Sequence, residues 1–289
     1  MSDPLDPLVN PAWTGIGGWF RRITAMFQRS WKSLVPIFLL MHVIPSMALA
    51  VVLAIGTELI LRPWQERVLA AGTAGEAPSA GLDIDLFPRF LVTYGLILLI
   101  SFVLAAIGYA ASTYAVTRQA AGLTVSFGAA VEYGVRRCLG LFSWNLLVTL
   151  MMVLGAVFCL LPGVYITLGA ALVGPVYLFE RRNPLGRSFT VLHRNFGRIL
   201  GRLAMTAVIV IGGSAAVSTA QNVLTYAVRA AGEDAALVGS GVVAAIGALL
   251  QLPISIFLFV AILLTYAEQR GYEAYVSTGS LAAELSSSR

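Results

Sequence analysis

Two histidines, two cysteines and a run of arginines are the residues of this chain best suited to chemistry, and their spacing narrows what that chemistry is. His42 and His193 lie about 150 residues apart. No H-E-x-x-H pair, no G-x-S-x-G turn and no Walker A loop occurs, so metal-dependent proteolysis, serine hydrolysis and ATP-driven work lack their parts. Cys138 and Cys159 stand at opposite ends of one expected membrane span. At ~1.5 Å per residue they would be about 30 Å apart in a helix, far beyond disulfide reach. Neither belongs to a Cys/His cluster, so no metal and no cofactor is expected. What remains is guanidinium chemistry. The stretch "FERRNPLGRSFTVLHRNFGRILGR", Phe179 to Arg202, holds six arginines and one carboxylate, Glu180. Guanidinium groups bind phosphate oxygens bidentately, and a basic residue beside the cytoplasmic leaflet gains about 1 kcal/mol from anionic lipid. Binding is therefore expected rather than catalysis.

The elements that position these arginines follow from composition. Of the 289 residues 58% are hydrophobic and 11% charged, and the mean hydropathy is +0.84. Soluble domains carry about 25% charge, so there is too little here to solvate a surface. Uncharged runs cover Ser33 to Thr57, Phe90 to Thr117, Cys138 to Phe179, Leu203 to Val228 and Ala235 to Ala267. A hydrocarbon core of about 30 Å needs roughly 20 apolar residues as helix, so each run is long enough to span. The third is long enough for two, and "LLPGVY" (Leu160 to Tyr165) supplies Pro162 to stop one helix and Gly163 to turn. The expectation is an all-α integral membrane protein with six transmembrane helices. The first run follows about thirty hydrophilic or amphipathic residues, so it reads as an anchor rather than a cleaved secretory signal.

With the N-terminus placed in the cytoplasm, fifteen of the nineteen Lys and Arg fall on inner segments, while the acidic residues divide evenly. That asymmetry follows the positive-inside rule. The pI of about 9.5 then reads as topology, with no nucleic-acid partner expected.

From Leu185 the apolar residues fall at Phe189, Leu192, Phe196, Ile199 and Leu203, one helical face at roughly 100° per residue. Arg187, Arg194, Arg198 and Arg202 lie about opposite, the pattern of a helix in the membrane interface. "LHRNFGRIL" (Leu192 to Leu200) aligns without gaps to "FQRSWKSLV" (Phe27 to Val35) and, more loosely, to "VRRCLGLFS" (Val135 to Ser143), with Arg29, Arg137 and Arg194 in register. We read three units, each an interfacial helix followed by two spans, over residues 13–117, 124–179 and 184–268. A cytoplasmic tail follows at 269–289, its "STGSLAAELSSSR" expected to be disordered. An outer Gly/Ala/Pro/Ser-rich loop covers Leu61 to Arg89.

Polar residues inside the spans are His42, Asn145, Gln221, Asn222 and Gln251. Hydrogen bonds between helices, worth about 0.6 to 2 kcal/mol, are the ordinary use of such groups, and a solute path is the alternative. His42 lacks a second intramembrane His or carboxylate with which to relay protons, and Glu58, near the outer end of the same span, can reach headgroups. Gly212, Ala216 and Ala220 form a small-residue face suited to close helix approach. Glu180 reads as an acid clamping a basic helix.

The order of "LPGVY" between two spans, Glu180 at a span exit, "GRSFTVLHRNFGR" (Gly186 to Arg198) and "LTYAEQRGYEA" (Leu264 to Ala274) resembles the bacterial glycerophosphoryl diester phosphodiesterase membrane-domain family. The match is best over residues 160–274, and the chain carries Tyr272 where the family pattern places a second basic residue. In fused relatives the diesterase activity belongs to a separate (β/α)8 barrel with carboxylate-bound metal, for which this chain has no room. The resemblance therefore implies a six-span membrane unit in the bacterial cytoplasmic membrane, and no hydrolysis. Two functions stay open: a non-enzymatic protein that holds anionic lipid, or a membrane or cytoplasmic partner including a second copy, through Arg29, Arg137, Arg187, Arg194, Arg198 and Arg202; or a permease-like protein with a path between its repeats.

Overall fold

A computed structural model of the chain describes residues 6–9, 15–74, 86–158, 160–180 and 183–287, with side chains omitted at 160, 233 and 234. Every element among them is helical: α1 (Gly15–Phe38), α2 (Ile44–Gly56), α3 (Arg62–Ala74), α4 (Leu86–Ala120), α5 (Phe127–Phe158), α6 (Leu160–Ala170), α7 (Val173–Phe179), α8 (Pro184–Arg194), α9 (Phe196–Ala230), α10 (Glu233–Leu250), α11 (Leu252–Glu273) and α12 (Thr278–Ser286). Six helical runs are long and apolar enough to cross a membrane: Gly15–Thr73, Leu86–Ala120, Phe127–Phe158, Leu161–Phe179, Phe196–Ala230 and Ala235–Glu273. They correspond to the six expected spans. Their outward residues are large and apolar, as at Leu91, Val92, Leu96, Leu99 and Ile100 of α4, a surface that water does not favour and lipid does.

The breaks in these runs have local causes. Leu39–Val43 and Thr57–Leu61 are π-helical, and each ends two residues before a proline, Pro45 or Pro63. A proline has no N–H for the carbonyl four residues back and crowds it, and a widened turn accommodates that loss. Pro162 lies in the first turn of α6, where an N–H has no intrahelical partner anyway. Pro253, second in α11, follows the interruption at Gln251.

The chain forms two compact units. The first comprises Met1–Met41, Val103–Gly212 and Pro253–Arg289. Its axis is α11, buried almost continuously from Phe259 to Gln269, as expected of a helix surrounded by others. Phe259 meets Phe38 of α1 and Tyr109 of α4 edge-on at 5.5 and 5.4 Å, and Tyr266 stacks on Phe179 of α7 at 5.3 Å. From α4 come small residues, Ala106, Gly108, Ala110, Ala111 and Ser112, all buried, which let backbones approach closely.

The tail does not stay disordered as expected. Ser277 caps α12 through a reciprocal bond with Ser280, and Leu281 and Leu285 are fully buried. Asp6 holds the helix start: its carboxylate accepts from the Thr278 backbone N–H at 2.8 Å and the Thr278 hydroxyl at 2.5 Å, and from the N–H groups of Leu8 and Val9. A composition rich in Ser and Ala hides these two leucines and a cap.

The second unit comprises His42–Phe102 and Gly213–Leu252. Here α2 packs on α10, and α9 runs against α10 through residues seven apart. Ser214 donates to Gln251 at 3.2 Å, while a Cβ at Gly247 or Gly239 would overlap Gln221 or Val228. The face Gly212, Ala216, Ala220, expected to mediate close approach, is exposed, and a Cβ at Gly212 would meet nothing within 4 Å. Packing uses the opposite side of α9 because the glycines that permit it stand on α10.

Candidate functional site

Of the three arginine-bearing segments expected to lie in the interface, only the third begins on a separate helix, and it is broken at Asn195, with Arg187 and Arg194 on α8 and Arg198 and Arg202 on α9. Asn183 caps α8 by accepting from the Gly186 N–H at 3.2 Å, Pro184 starts it, and Asn195 leaves helical geometry to end it. The first two segments are instead continuous with α1 and α5. Nothing in their sequences breaks a helix, since neither carries a proline or capping pair before its span.

The buried face of α8 consists of Pro184, Ser188, Val191 and Leu192, with Leu185 and Phe189 half-buried. This face is turned by about a quarter turn from the Leu185–Phe189–Leu192 stripe, at ~100° per residue. Ser188 donates to the Gly169 carbonyl at 2.5 Å. His193 donates from Nδ1 to the Phe189 carbonyl at 2.7 Å, which leaves Nε2 to accept from the Tyr165 hydroxyl at 3.1 Å. The turn brings Arg187 to the protein, where its Nε donates to Glu180 at 2.8 Å and its NH1 and NH2 donate to Glu273. Hydrogen bonding to Glu273 is the largest cause that raises the Arg187 pKa above its ordinary value, with Glu180 adding to it against partial burial.

Glu180 collects further donors. Tyr266 donates to it at 3.2 Å, and Arg270 stands 3.5 Å away while bonding Glu284 of α12 at 2.9 Å. Glu180, Arg187, Arg270, Glu273 and Glu284 line a polar recess of about 370 Å³. The acid does clamp the basic helix, as its position suggested, though through Arg187; Arg181 and Arg182 lie outside the described residues. A second cluster is fully interior. Arg202, 4% exposed, forms a bidentate pair with Glu268, 1% exposed, at 3.1 and 3.2 Å. Arg202 also donates to the Gly15 carbonyl at 3.0 Å and lies over the Trp19 ring.

The candidate arginines thus divide. Arg187 and Arg202 are held by carboxylates, Arg187 at the edge of the polar recess and Arg202 in the interior. Arg29, Arg194 and Arg198 are exposed. Arg194 is 67% exposed with only a 3.9 Å approach to Glu273, and Arg198 rests on the Tyr272 ring at 4.2 Å. Arg137 is half-buried. Two residues beyond each register arginine stands a large, outward apolar side chain: Trp31 at 48% exposure, Leu139 at 78% and Phe196 at 48%. The R-x-aromatic/Leu spacing of these neighbours is legible in the sequence beside each aligned arginine.

Among the intramembrane polar residues, His42 lies half-buried in the first π-helical segment. Asn145 is half-buried on α5, and its carbonyl accepts from Thr149 at 2.8 Å. Gln251 accepts from Ser214 at the α10–α11 interruption. Gln221 and Asn222 line a polar cavity of about 340 Å³ with Ser218, Thr225, Arg229 and Glu58. Glu58 Oε1 accepts from Arg229 Nε and NH2 at 2.8 and 2.5 Å, and Oε2 from Arg62 at 3.3 Å. The cavity is not lined by His42, Asn145 or Gln251. Compared with protein-family models, with curated proteins and with solved structures, the chain matches none.

Proposed function

We propose that this chain is a non-enzymatic protein of the bacterial cytoplasmic membrane, both termini inside, that holds anionic lipid headgroups at its cytoplasmic face. The observation that carries the reading is the thrice-repeated pairing of a register arginine with an exposed apolar side chain two residues on. A basic group beside an outward Trp, Leu or Phe suits the boundary between headgroups and acyl chains, where the ring or branch enters hydrocarbon and the cation meets phosphate. The excess of arginine on the segments assigned inside supports the orientation. The carboxylate clamp on Arg187 serves this display by fixing α8, so that Arg194 at its end faces outward.

The test uses Arg29→Gln, Arg194→Gln and Arg198→Gln together. At roughly 1 kcal/mol per arginine, retention of phosphatidylglycerol and cardiolipin weakens by about a hundredfold in affinity. Quantifying co-purified lipid by mass spectrometry, with thermal stability unchanged, checks this. Unaltered anionic lipid in the triple variant contradicts it and favours a protein partner or a second copy at the same arginines.

A further inference from the structure

Within the second unit, α9 carries a polar stripe in an otherwise apolar span. Ser218, Gln221, Asn222, Thr225 and Arg229 recur at three- and four-residue intervals, which places them within about 60° on either side of one line along the helix. They share the lining of the 340 Å³ cavity, a size at the lower end of ligand pockets, about 300 to 1,000 Å³. Other hydroxyls on these helices bond the carbonyl one turn back, as Thr57 does to Leu53 and Thr219 to Ala215, both at 2.8 Å. The hydroxyls of Ser218 and Thr225 and the amides of Gln221 and Asn222 take no hydrogen-bond partner among the described residues. A polar group in a membrane span without a partner costs several kcal/mol, so a stripe of four implies that something fills the cavity.

The charges say what kind of occupant fits. Both Glu58 oxygens already accept from arginine, so no carboxylate is free for a cation. Arg229 commits Nε and NH2 to Glu58, so its charge is balanced and an anion gains little. The groups left over are amides and hydroxyls, which donate and accept alike. Their complement is a neutral molecule with several hydroxyls.

We propose that this cavity binds a neutral polyol group, either a free polyol or the sugar headgroup of an uncharged glycolipid. Glu58 is the positioning residue that holds Arg229 at the rim, and Gly247 leaves the space in which the Gln221 side chain lies. The inference concerns other residues than the lipid-binding arginines and stands independently of them.

The experiment measures binding of radiolabelled glycerol, glucose and glucosyl-diacylglycerol to the full chain in nanodiscs, with inorganic phosphate as the anionic control. Saturable binding at one site per chain is expected for at least one polyol probe. Binding of free glycerol or glucose identifies a soluble source, and binding of the glycolipid alone identifies a headgroup. Gln221→Met with Asn222→Leu, which keep side-chain volume, weaken that binding by about tenfold or more through lost hydrogen bonds, whereas Arg194→Gln leaves it unchanged. A second variant, Gly247→Ala, reaches the site by displacing the Gln221 amide and weakens binding without removing a polar group. Absence of saturable binding for all three polyol probes, stronger binding of phosphate, or binding indifferent to Gln221→Met with Asn222→Leu in a folded protein overturns the proposal.

Discussion

Replacing Arg202 with alanine lowers the stability of the folded chain by about 3–5 kcal/mol, the loss seen when one partner of a buried ion pair is removed. Glu268 is almost fully enclosed and takes two hydrogen bonds from this guanidinium. Without it the carboxylate retains, among the described residues, the Tyr272 hydroxyl at 3.2 Å and the weaker electrostatic attraction of Arg22, and its buried charge loses its bidentate partner. The same substitution releases the Gly15 carbonyl at the start of α1 and the stem that covers Trp19. The double variant Arg202→Met with Glu268→Leu separates the two contributions. Apolar residues of similar volume replace a buried pair at little cost, so the double variant recovers most of what the single one loses. Equilibrium unfolding in mixed micelles of the wild type, both single variants and the double variant checks this. Equal destabilisation by the single and double variants would mean that packing against Trp19, rather than the charge pair, holds α1 in place.

Replacing Glu180 with glutamine acts on one element rather than on the whole unit. The carboxylate is nearly buried and serves Arg187, Tyr266 and Arg270 at once. Glutamine keeps an acceptor for Tyr266 but no charge for the two arginines. Arg187 retains Glu273 and Arg270 retains Glu284, so the expected loss is about 3 kcal/mol, the lower end for a broken buried pair. It is felt where α8 is anchored. Hydrogen exchange over residues 184–194 accelerates in Glu180→Gln while α11 keeps its protection, because α8 opens as a local unit. On the proposed function, retention of anionic lipid falls as well, although Arg29, Arg194 and Arg198 are intact. Uniformly faster exchange throughout the first unit would instead assign Glu180 to global stability.

The spans were legible because run length and lack of charge are local properties. Pro184 behind Asn183 likewise marks the start of α8 from sequence alone. The division among the arginines was not legible, because the partners that decide it are remote. Glu268 lies 66 residues from Arg202 and Glu273 lies 86 from Arg187. A usable signal did exist, since two carboxylates close the last apolar run, and an acid there needs a cation. The polar stripe of α9 was half visible. Gln221 and Asn222 stand out as amides in a span, whereas Ser218 and Thr225 pass for ordinary helix residues until their hydroxyls are found without partners. Docking of α12 was hidden for another reason: its clamp, Asp6, comes from the opposite end of the chain.

The central claim, that the three register segments share the cytoplasmic face, is tested most directly by labelling with a membrane-impermeant maleimide. In a chain with Cys138→Ser and Cys159→Ser, single cysteines replace Arg29, Arg194 or Arg136, the exposed neighbour of half-buried Arg137, and Leu69 of α3 serves as the reference for the outer side. The account predicts that positions 29, 136 and 194 react only in inverted membrane vesicles and position 69 only in right-side-out ones. Reaction of any of the three arginine positions from the exterior would contradict it.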